Sequence, residues 1–557
     1  MSERIFIGAA WPYANGPLHL GHIAGAYLPP DIFARYHRLK GNDVLMVSGS
    51  DQHGTPITLR AFEEGRPPRE IAAHYHEEFL DSWEKIGISF DLFTSTDTPN
   101  HHRVAQDFFL ALKDKGYIYQ DTMALLYCPR CNRFLPDRYV EGTCPHCHSE
   151  GVRGDQCDNC GKPLNPVDLI DPYCRLCSSL PEVRESEHFF LRLSAFNDQL
   201  LEWVKGQSHW KQNVLNFTIN LLTEGLKDRS ITRDIEWGIP VPIPGFESKR
   251  IYVWFEAVIG YLSASKEWAK NSGDEEKWRQ FWQGDAKSYY FIGKDNVPFH
   301  TIIWPAMLMG DGELNLPYDV PANEFLTLGG KPFSTSRNFA VWLPDYLERY
   351  DPDPLRYFLS VNMPEGADTD FSWQEFVRRN NDELVATYGN LVHRVLTFTY
   401  RSFDGAIPPH GEFDEKSEAL LKKTKVVLDT VDRLLHQCHF REAIRTAMSL
   451  AQEANRYLDE KAPWKRMKED REGSATSLYA ALCVISCLKT VLYPFLPFSS
   501  QKLHRLLGFE GRVEEDGWSI AKLPPGQKLA PPEPLFTKLD ESVAAEETAR
   551  LESARAG

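Results

Sequence analysis

The stretch Ala10-Trp11-Pro12-Tyr13-Ala14-Asn15-Gly16-Pro17-Leu18-His19-Leu20-Gly21-His22 decides how this chain is read. Ahead of it, Arg4-Ile5-Phe6-Ile7-Gly8 is a short apolar run with the look of a strand. Behind it, Ile23 to Lys40 reads as helix, broken at Pro29-Pro30. The stretch is therefore a strand-to-helix turn. Gly21 lets a ligand approach the backbone closely. The first amides of a helix and its partial positive charge suit phosphates. His19 and His22, three apart, share one face of the first turn and are placed to donate hydrogen bonds to a polyphosphate. On spacing alone, two solvated helix histidines would look the same.

Working outward, the next strand-like run is Asp43-Val44-Leu45-Met46-Val47-Ser48-Gly49-Ser50, leading into Asp51-Gln52-His53-Gly54. Residues just past a parallel strand face the ligand in open α/β sheets, so Asp51 is placed to hold an ammonium; a turn or cap aspartate is the plainer alternative. Ile251 to Tyr261 reads as an aromatic-rich core strand. Phe291-Ile292-Gly293-Lys294-Asp295 reads as a strand ending in a pair suited to a ribose: Gly293 permits close approach and Asp295 accepts hydroxyl hydrogen bonds. Leu328-Gly329-Gly330-Lys331-Pro332-Phe333-Ser334-Thr335-Ser336-Arg337 is a Gly/Ser-rich loop bracketed by two cations. From Asp370 onward the apolar residues fall at helical spacing, for example Leu421, Leu428, Val431 and Leu435, giving a bundle of roughly 150 residues. The segment from 524 is rich in Pro, Ala and Glu and reads as an extended tail.

Cysteine usage is the second strong signal. Of 11 cysteines, eight form Cys128-x-x-Cys131, Cys144-x-x-Cys147, Cys157-x-x-Cys160 and Cys174-x-x-Cys177. Each knuckle presents two thiolates, and two knuckles complete a tetrahedral four-sulfur zinc site, so four imply two structural zincs. Disulfides are disfavoured by the uniform spacing. Spacing does not give the pairing, and His146 and His148 are alternative ligands. A zinc-ribbon RNA-binding protein would carry the same knuckles.

The chain has 557 residues, 42% hydrophobic, with a net charge of −16. That is too long for one core, and several domains are expected. The acidic balance excludes a generally nucleic-acid-sticky surface and leaves room for a local basic groove. No apolar run is read as long enough to span a membrane, and no signal peptide is found, so a soluble cytoplasmic protein is expected.

Taken together, the words Pro-Tyr-Ala-Asn-Gly-Pro-Leu-His-Leu-Gly-His, Gly-Lys-Asp and Phe-Ser-Thr-Ser, in this order over roughly residues 4 to 500, resemble the class I aminoacyl-tRNA synthetases, and the methionyl-tRNA synthetase family in particular. The resemblance implies activation of methionine with ATP to methionyl-adenylate and pyrophosphate, then transfer to the 3′ end of initiator and elongator tRNA(Met), with Mg²⁺ accompanying ATP. It implies an ATP site of His19, Gly21, His22, Gly293, Asp295, Lys331, Ser334, Thr335, Ser336 and Arg337. The chain departs from the usual Lys-Met-Ser-Lys-Ser word: Pro332 and Thr335 stand at the two lysine positions, leaving the charge to Lys331 or Arg337. The implied methionine site is Trp11, Tyr13, Asp51, Trp254, Tyr261 and His300; a thioether gains from aromatic edges. Trp11 stands where many relatives have a smaller residue. The implied zinc pairing is nested, with Cys144, Cys147, Cys157 and Cys160 on one ion and Cys128, Cys131, Cys174 and Cys177 on the other. Asn390, Arg394 and Trp464 match positions that recognise a CAU anticodon.

The expected organisation is α/β: a Rossmann-like catalytic domain (1–117 and 236–322) with an inserted zinc-knuckle domain (118–235), a loop and stem-contact region (323–380), an all-α anticodon-binding bundle (381–523) and a tail (524–557). A monomer is expected. A leucine or valine enzyme of the same class would carry a large editing insertion where this chain has only the short knuckle region.

Overall fold

The chain is seen in a computed structural model that describes residues 2–136, 139–154, 157, 159–160, 164–333 and 339–556. At its centre is a five-stranded parallel sheet: β1 (Arg4–Ala9), β2 (Asp43–Ser50), β3 (Leu92–Ser95), β4 (Lys287–Gly293) and β5 (Ala322–Asn323), ordered 5-4-1-2-3. Strands β1 and β2 are almost wholly buried and read as continuous apolar runs, as a sheet covered on both faces requires. β1 pairs with β4 on one side and β2 on the other. The strand order therefore reverses at β1, and the crevice above the carboxyl ends of β1 and β4 is the topological switch point where such sheets bind ligands.

The helix after β1 is not broken at Pro29-Pro30, contrary to the sequence reading. Leu20–His22 opens it, Ile23–Tyr27 widens into a π turn, and Leu28–Leu39 continues with the prolines at its first positions. Prolines have no N–H to leave unpaired there, so the chain runs on. A second correction concerns Ile251 to Tyr261. Only Arg250–Ile251 is strand; Val253–Asn271 is a helix packed on the sheet. Its β-branched and aromatic content imitates a strand, but Trp254, Val258 and Tyr261 recur at helical spacing and line one cleft.

Between β3 and that helix, Ile118–Cys128 and Glu182–Leu191 form a long antiparallel ribbon. The first knuckle begins where the ribbon strand ends, at Cys128; a small sheet of Val140–Thr143, Val152–Arg153 and Ile170–Cys174 holds the segments from which the other knuckles come.

Beyond the sheet, Glu415–His436, Phe440–Lys461, Arg471–Leu492 and Pro497–Leu506 build the helical bundle. Arg471–Leu492 is long and apolar enough to cross a membrane by length and composition, which the sequence reading did not anticipate; 89% of its apolar window is buried inside the protein. An all-round apolar helix is what the centre of a bundle demands. The segment from 524 is not a loose tail. The Asn380 and Asn381 amides donate to the Thr537 and Leu539 carbonyls, and the final helix, Ser542–Ala556, docks through Glu547, which is nearly buried and accepts from both Arg349 and the Tyr350 hydroxyl.

The bundle and the sheet are joined by a buried knot. The fully buried Arg356 guanidinium donates to Asp31 (2.6 Å) and to the carbonyls of Pro494 and Phe495, while Arg35 donates to Asp31 and to the Tyr493 hydroxyl. Two guanidiniums hold the Asp31 carboxyl down at about 2 against the opposing effect of its burial.

Candidate active site

A cavity of about 500 Å³ opens at the switch point. From β1 and its turn come Trp11, Tyr13, His19, Gly21 and His22; from the end of β2, Asp51; from the helix Val253–Asn271, Trp254, Val258 and Tyr261; from the end of β4 and the turn after it, Gly293, Asp295, Phe299 and His300. Residues separated by almost three hundred positions thus face one space.

His19 caps the first turn. Its Nδ1 accepts from the His22 N–H, and the His22 Nδ1 accepts from the His19 N–H. This reciprocal cap satisfies backbone donors that sequence reasoning had offered to phosphate, and it fixes both tautomers: with Nδ1 accepting, the proton of each neutral ring sits on Nε2. The rings stack at 3.6 Å. Burial lowers the pKa of His22 to about 4 and holds His19 well below the ordinary imidazole range, its neighbour His22 adding to the effect. The pair is therefore two neutral Nε2–H donors, able to bind phosphate oxygens without placing fixed charge in the cleft.

Asp51 is buried, and its backbone is tied to the turn through the Ala14 and Asp51 amides. Burial and the nearby Glu256 push its carboxyl well up; the His53 side chain and the His53 N–H, which donates to Oδ1 at 3.1 Å, pull the other way. A carboxylate in this position attracts a cation strongly. Around it stand the aromatic walls. The Tyr261 hydroxyl and His300 Nε2 are 2.8 Å apart, and His300 Nδ1 lies 3.0 Å from the Asn296 carbonyl. The donor to that carbonyl must be Nδ1–H, so His300 Nε2 accepts from Tyr261; burial pulls His300 to about 4, which keeps it neutral. Trp254 packs on Phe299 with ring centres 3.9 Å apart. The Trp11 indole lies in a slot made by two glycines: a Cβ on Gly49 would sit 2.3 Å from the ring and one on Gly260 2.7 Å from it. The larger wall residue is matched by backbone with no side chain behind it.

Asp295 opens onto the cavity with protein around it, and this surrounding raises its carboxyl. Lys294 turns away to Glu324 and Asp368, each at 2.8 Å. Lys331 is exposed on a hairpin (Leu326–Leu328 with Lys331–Pro332) and lies outside the cavity lining, which Pro332 and Phe333 complete. Gly329-Gly330, both at positive φ, make the tight turn. Phe333 stacks on His19 at 5.0 Å, and Val341 accepts from the Leu20 N–H, so both flanks of the loop meet the histidine turn. Ser334, Thr335, Ser336 and Arg337 lie outside the described residues.

The eight knuckle cysteines gather into two sets of four: Cys128, Cys131, Cys174 and Cys177, and Cys144, Cys147, Cys157 and Cys160. Cross-knuckle sulfurs are 3.5–3.9 Å apart. That is far beyond a disulfide bond and close to the roughly 3.8 Å edge of a tetrahedron with 2.3 Å zinc–sulfur bonds. Asn132, His148 and Ser178, each just after the second cysteine of a knuckle, share a left-handed φ of 51–57°, which turns the chain back over the site. Both groups fit zinc by donor type and spacing. Neither His146 nor His148 joins them.

At the far end, Arg394 lies over the Trp464 ring at 4.4 Å and pairs with Asp459, and Asn390 is exposed one turn earlier on the same helix.

Residues 5–396 match the family described as tRNA synthetases class I (M), and residues 407–556 match the anticodon binding domain of methionyl tRNA ligase. The chain belongs to the methionyl-tRNA synthetase family. It is 63% identical to the methionine–tRNA ligase of Dehalococcoides mccartyi (strain ATCC BAA-2266 / KCTC 15142 / 195), over 99% of this chain and 100% of the relative, and 54% identical to that of Thermomicrobium roseum, over 99% of each. Among solved structures it superposes on Mycobacterium tuberculosis methionyl-tRNA synthetase in complex with methionyl-adenylate with a TM-score of 0.82 at 28% identity, covering 96% of this chain and 100% of that one. In this member of the methionyl-tRNA synthetase family, Glu256, His53 and His101 also make a buried cluster that sequence reading passed over, because no motif joins residues so far apart; the Asp51-Gln52-His53 word was the one signal available.

Proposed function

We infer that this chain is a methionine–tRNA ligase, an enzyme that activates L-methionine with ATP and transfers it to tRNA(Met). The observation that carries the reading is the single cleft in which a buried carboxylate, an aromatic wall and two Nε2–H imidazole donors converge at the switch point. Asp51 receives the ammonium of methionine; Trp11, Tyr13, Trp254, Tyr261 and His300 surround the thioether. Asp295, with Gly293 giving room, receives the ribose of ATP. A carboxylate oxygen of methionine attacks the α-phosphorus, the bond to the bridging oxygen breaks, and pyrophosphate leaves with the electron pair. His19 and His22 donate to the phosphate oxygens as charge builds on them. No covalent enzyme intermediate is needed; positioning and preorganised donors supply the rate. The terminal ribose hydroxyl of tRNA then attacks the activated carbonyl and AMP departs. Mg²⁺ enters as the counter-ion of ATP.

The loop 331–337 follows the leaving pyrophosphate, with Lys331 and Arg337 as its cations and Ser334, Thr335 and Ser336 as hydroxyl donors. Asn390, Arg394 and Trp464 read the anticodon: an aromatic face and a guanidinium are the groups that unpaired bases stack on and bond to. Each four-cysteine group holds one structural zinc. The enzyme works as a cytoplasmic monomer, a state that light scattering checks. The deciding experiment is amino-acid-dependent exchange of pyrophosphate into ATP with methionine, leucine, valine, isoleucine and cysteine. Exchange with methionine alone is expected; exchange with another amino acid overturns the pocket, and none at all on folded, zinc-replete protein overturns the enzyme reading in favour of a zinc-ribbon RNA-binding protein.

A further inference from the structure

Linked to Asp51 through His53 is a second, fully buried carboxylate. Glu256, on the helix Val253–Asn271, has no solvent exposure at all. Its Oε1 is 2.7 Å from His53 Nδ1 and its Oε2 is 2.8 Å from His101 Nε2. His101 Nδ1 in turn lies 2.8 Å from the Ser263 hydroxyl. The other edge of His53 faces Asp97, with Nε2 3.8 Å from Oδ1, and Asp97 is also approached by His102 at 3.4 Å and Arg69 at 3.0 Å. The His53 ring packs against Trp237, whose Nε1 donates to the Gln52 carbonyl. His53 thus touches carboxylates on both sides and reaches Asp51 through its own backbone N–H.

Two buried carboxylates that feel each other's charge do not both stay ionised unless a cation neutralises one of them. Methionine supplies the cation for Asp51. Something in the protein must supply it for Glu256 beforehand, or Glu256 will drive a proton onto Asp51 and remove the group that receives the ammonium.

We propose that His53 is a positioning residue for amino-acid recognition: as an imidazolium clamped between Glu256 and Asp97 it cancels the charge of Glu256, so that Asp51 serves the substrate ammonium as a carboxylate. The proposal rests on the reading of Asp51 as the ammonium site. Its geometry is supported by charge: Glu256 and Asp97 hold the His53 imidazolium, with a pKa of about 10, despite its burial. His101 does not share this role, since burial leaves it lowered, and its neutral ring donates one hydrogen bond to Glu256.

The test uses the full-length enzyme and pyrophosphate exchange, with KM for methionine and for ATP measured separately from pH 6 to 8. Wild-type exchange with methionine comes first, and its absence would unseat the functional reading rather than this inference. His53→Gln keeps a hydrogen-bonding group but leaves Glu256 uncompensated. Its methionine KM is expected to rise by about tenfold or more at pH 6, with the deficit shrinking as pH rises and the ATP KM little changed. The double variant His53→Gln/Glu256→Gln removes both charges and is expected to regain most of the lost affinity. Glu256→Gln alone relieves Asp51 of its repeller, so its methionine KM should hold or fall. A merely structural His53 would raise both KM values and lower kcat at every pH, with no rescue by the second substitution. That result, or a tenfold rise in methionine KM for Glu256→Gln alone, overturns the proposal; the Glu256→Gln measurement decides even if His53→Gln fails to fold.

Discussion

The cleft and the knuckle lobe gather polar ligands in opposite ways. In the cleft, His19, His22, Asp51 and His300 are held in place by a large apolar core whose strands are buried on both faces, and the tautomers and neutral state of the three histidines are set before any substrate arrives. In the lobe, eight thiols are backed by a small cluster built from Leu126, Leu135, Tyr139, Val140, Val152 and Leu169. Such a cluster supplies little burial for so many ligands; on the zinc reading proposed above, the ion supplies the rest. The cleft is a scaffold that awaits its ligand; the lobe is a fold that its ligand completes.

Removing metal tests this contrast most severely. Structural zinc contributes apparent binding energies of about 10–16 kcal/mol per site. Stripping both sites should melt the lobe while the helical signal of the core and bundle stays, as followed by circular dichroism and hydrogen exchange; a core that melts together with the lobe would erase the distinction. His22→Ala should act on the cleft alone. Loss of one preorganised donor lowers adenylate formation by about 10²–10³-fold. Zinc content, read by metal analysis, should stay at the wild-type value.

The far end of the chain sharpens the comparison with a half-buried site that needs no metal: Arg394 lies over Trp464, whose ring packs on Phe398 and the edge of the core. Trp464→Ala should weaken tRNA binding by about 1–3 kcal/mol, one stacked base's worth, and leave methionine-dependent pyrophosphate exchange unchanged. The last test is one of pH. His22 and His300 both have pKa values near 4 in the fold, below the ordinary 6.5. Between these values the unfolded chain binds protons that the native cleft refuses. Their contribution to stability is complete above pH 6.5 and is lost as pH falls towards 4. A melting temperature that drops over this window while zinc remains bound would place the acid sensitivity in the cleft; a drop that follows zinc release would move it to the lobe.

The same contrast governs what could be read from the sequence. Cysteine knuckles and the His19-Leu20-Gly21-His22 word are local, and locality survives in a linear string. The strand-to-helix turn, the parallel sheet and the helical second half follow from patterns of the same kind. The misreadings were made where tertiary context overrides local preference. Val253–Asn271 carries strand-forming residues into a helix because one of its faces must line the cleft. Pro29 and Pro30 continue a helix because a π turn precedes them. Arg471–Leu492 is apolar all round because other helices surround it, and the segment after 524 is ordered by amides and a guanidinium from elsewhere in the chain. Glu256 was legible only as one more residue of an aromatic run; its meaning comes from two histidines far away in sequence.

The Arg356 knot has a consequence for anyone reshaping this enzyme. Arg356 donates to carbonyls of the bundle and to Asp31 on the very helix that His19 caps. Cutting the bundle away would strip Arg356 of two carbonyl partners and open its pair with Asp31 to water. The bundle is therefore no detachable cartridge. On the anticodon reading proposed above, codon preference in this scaffold is to be rewritten in place, around Asn390, Arg394 and Trp464, and not by grafting a foreign bundle onto the sheet.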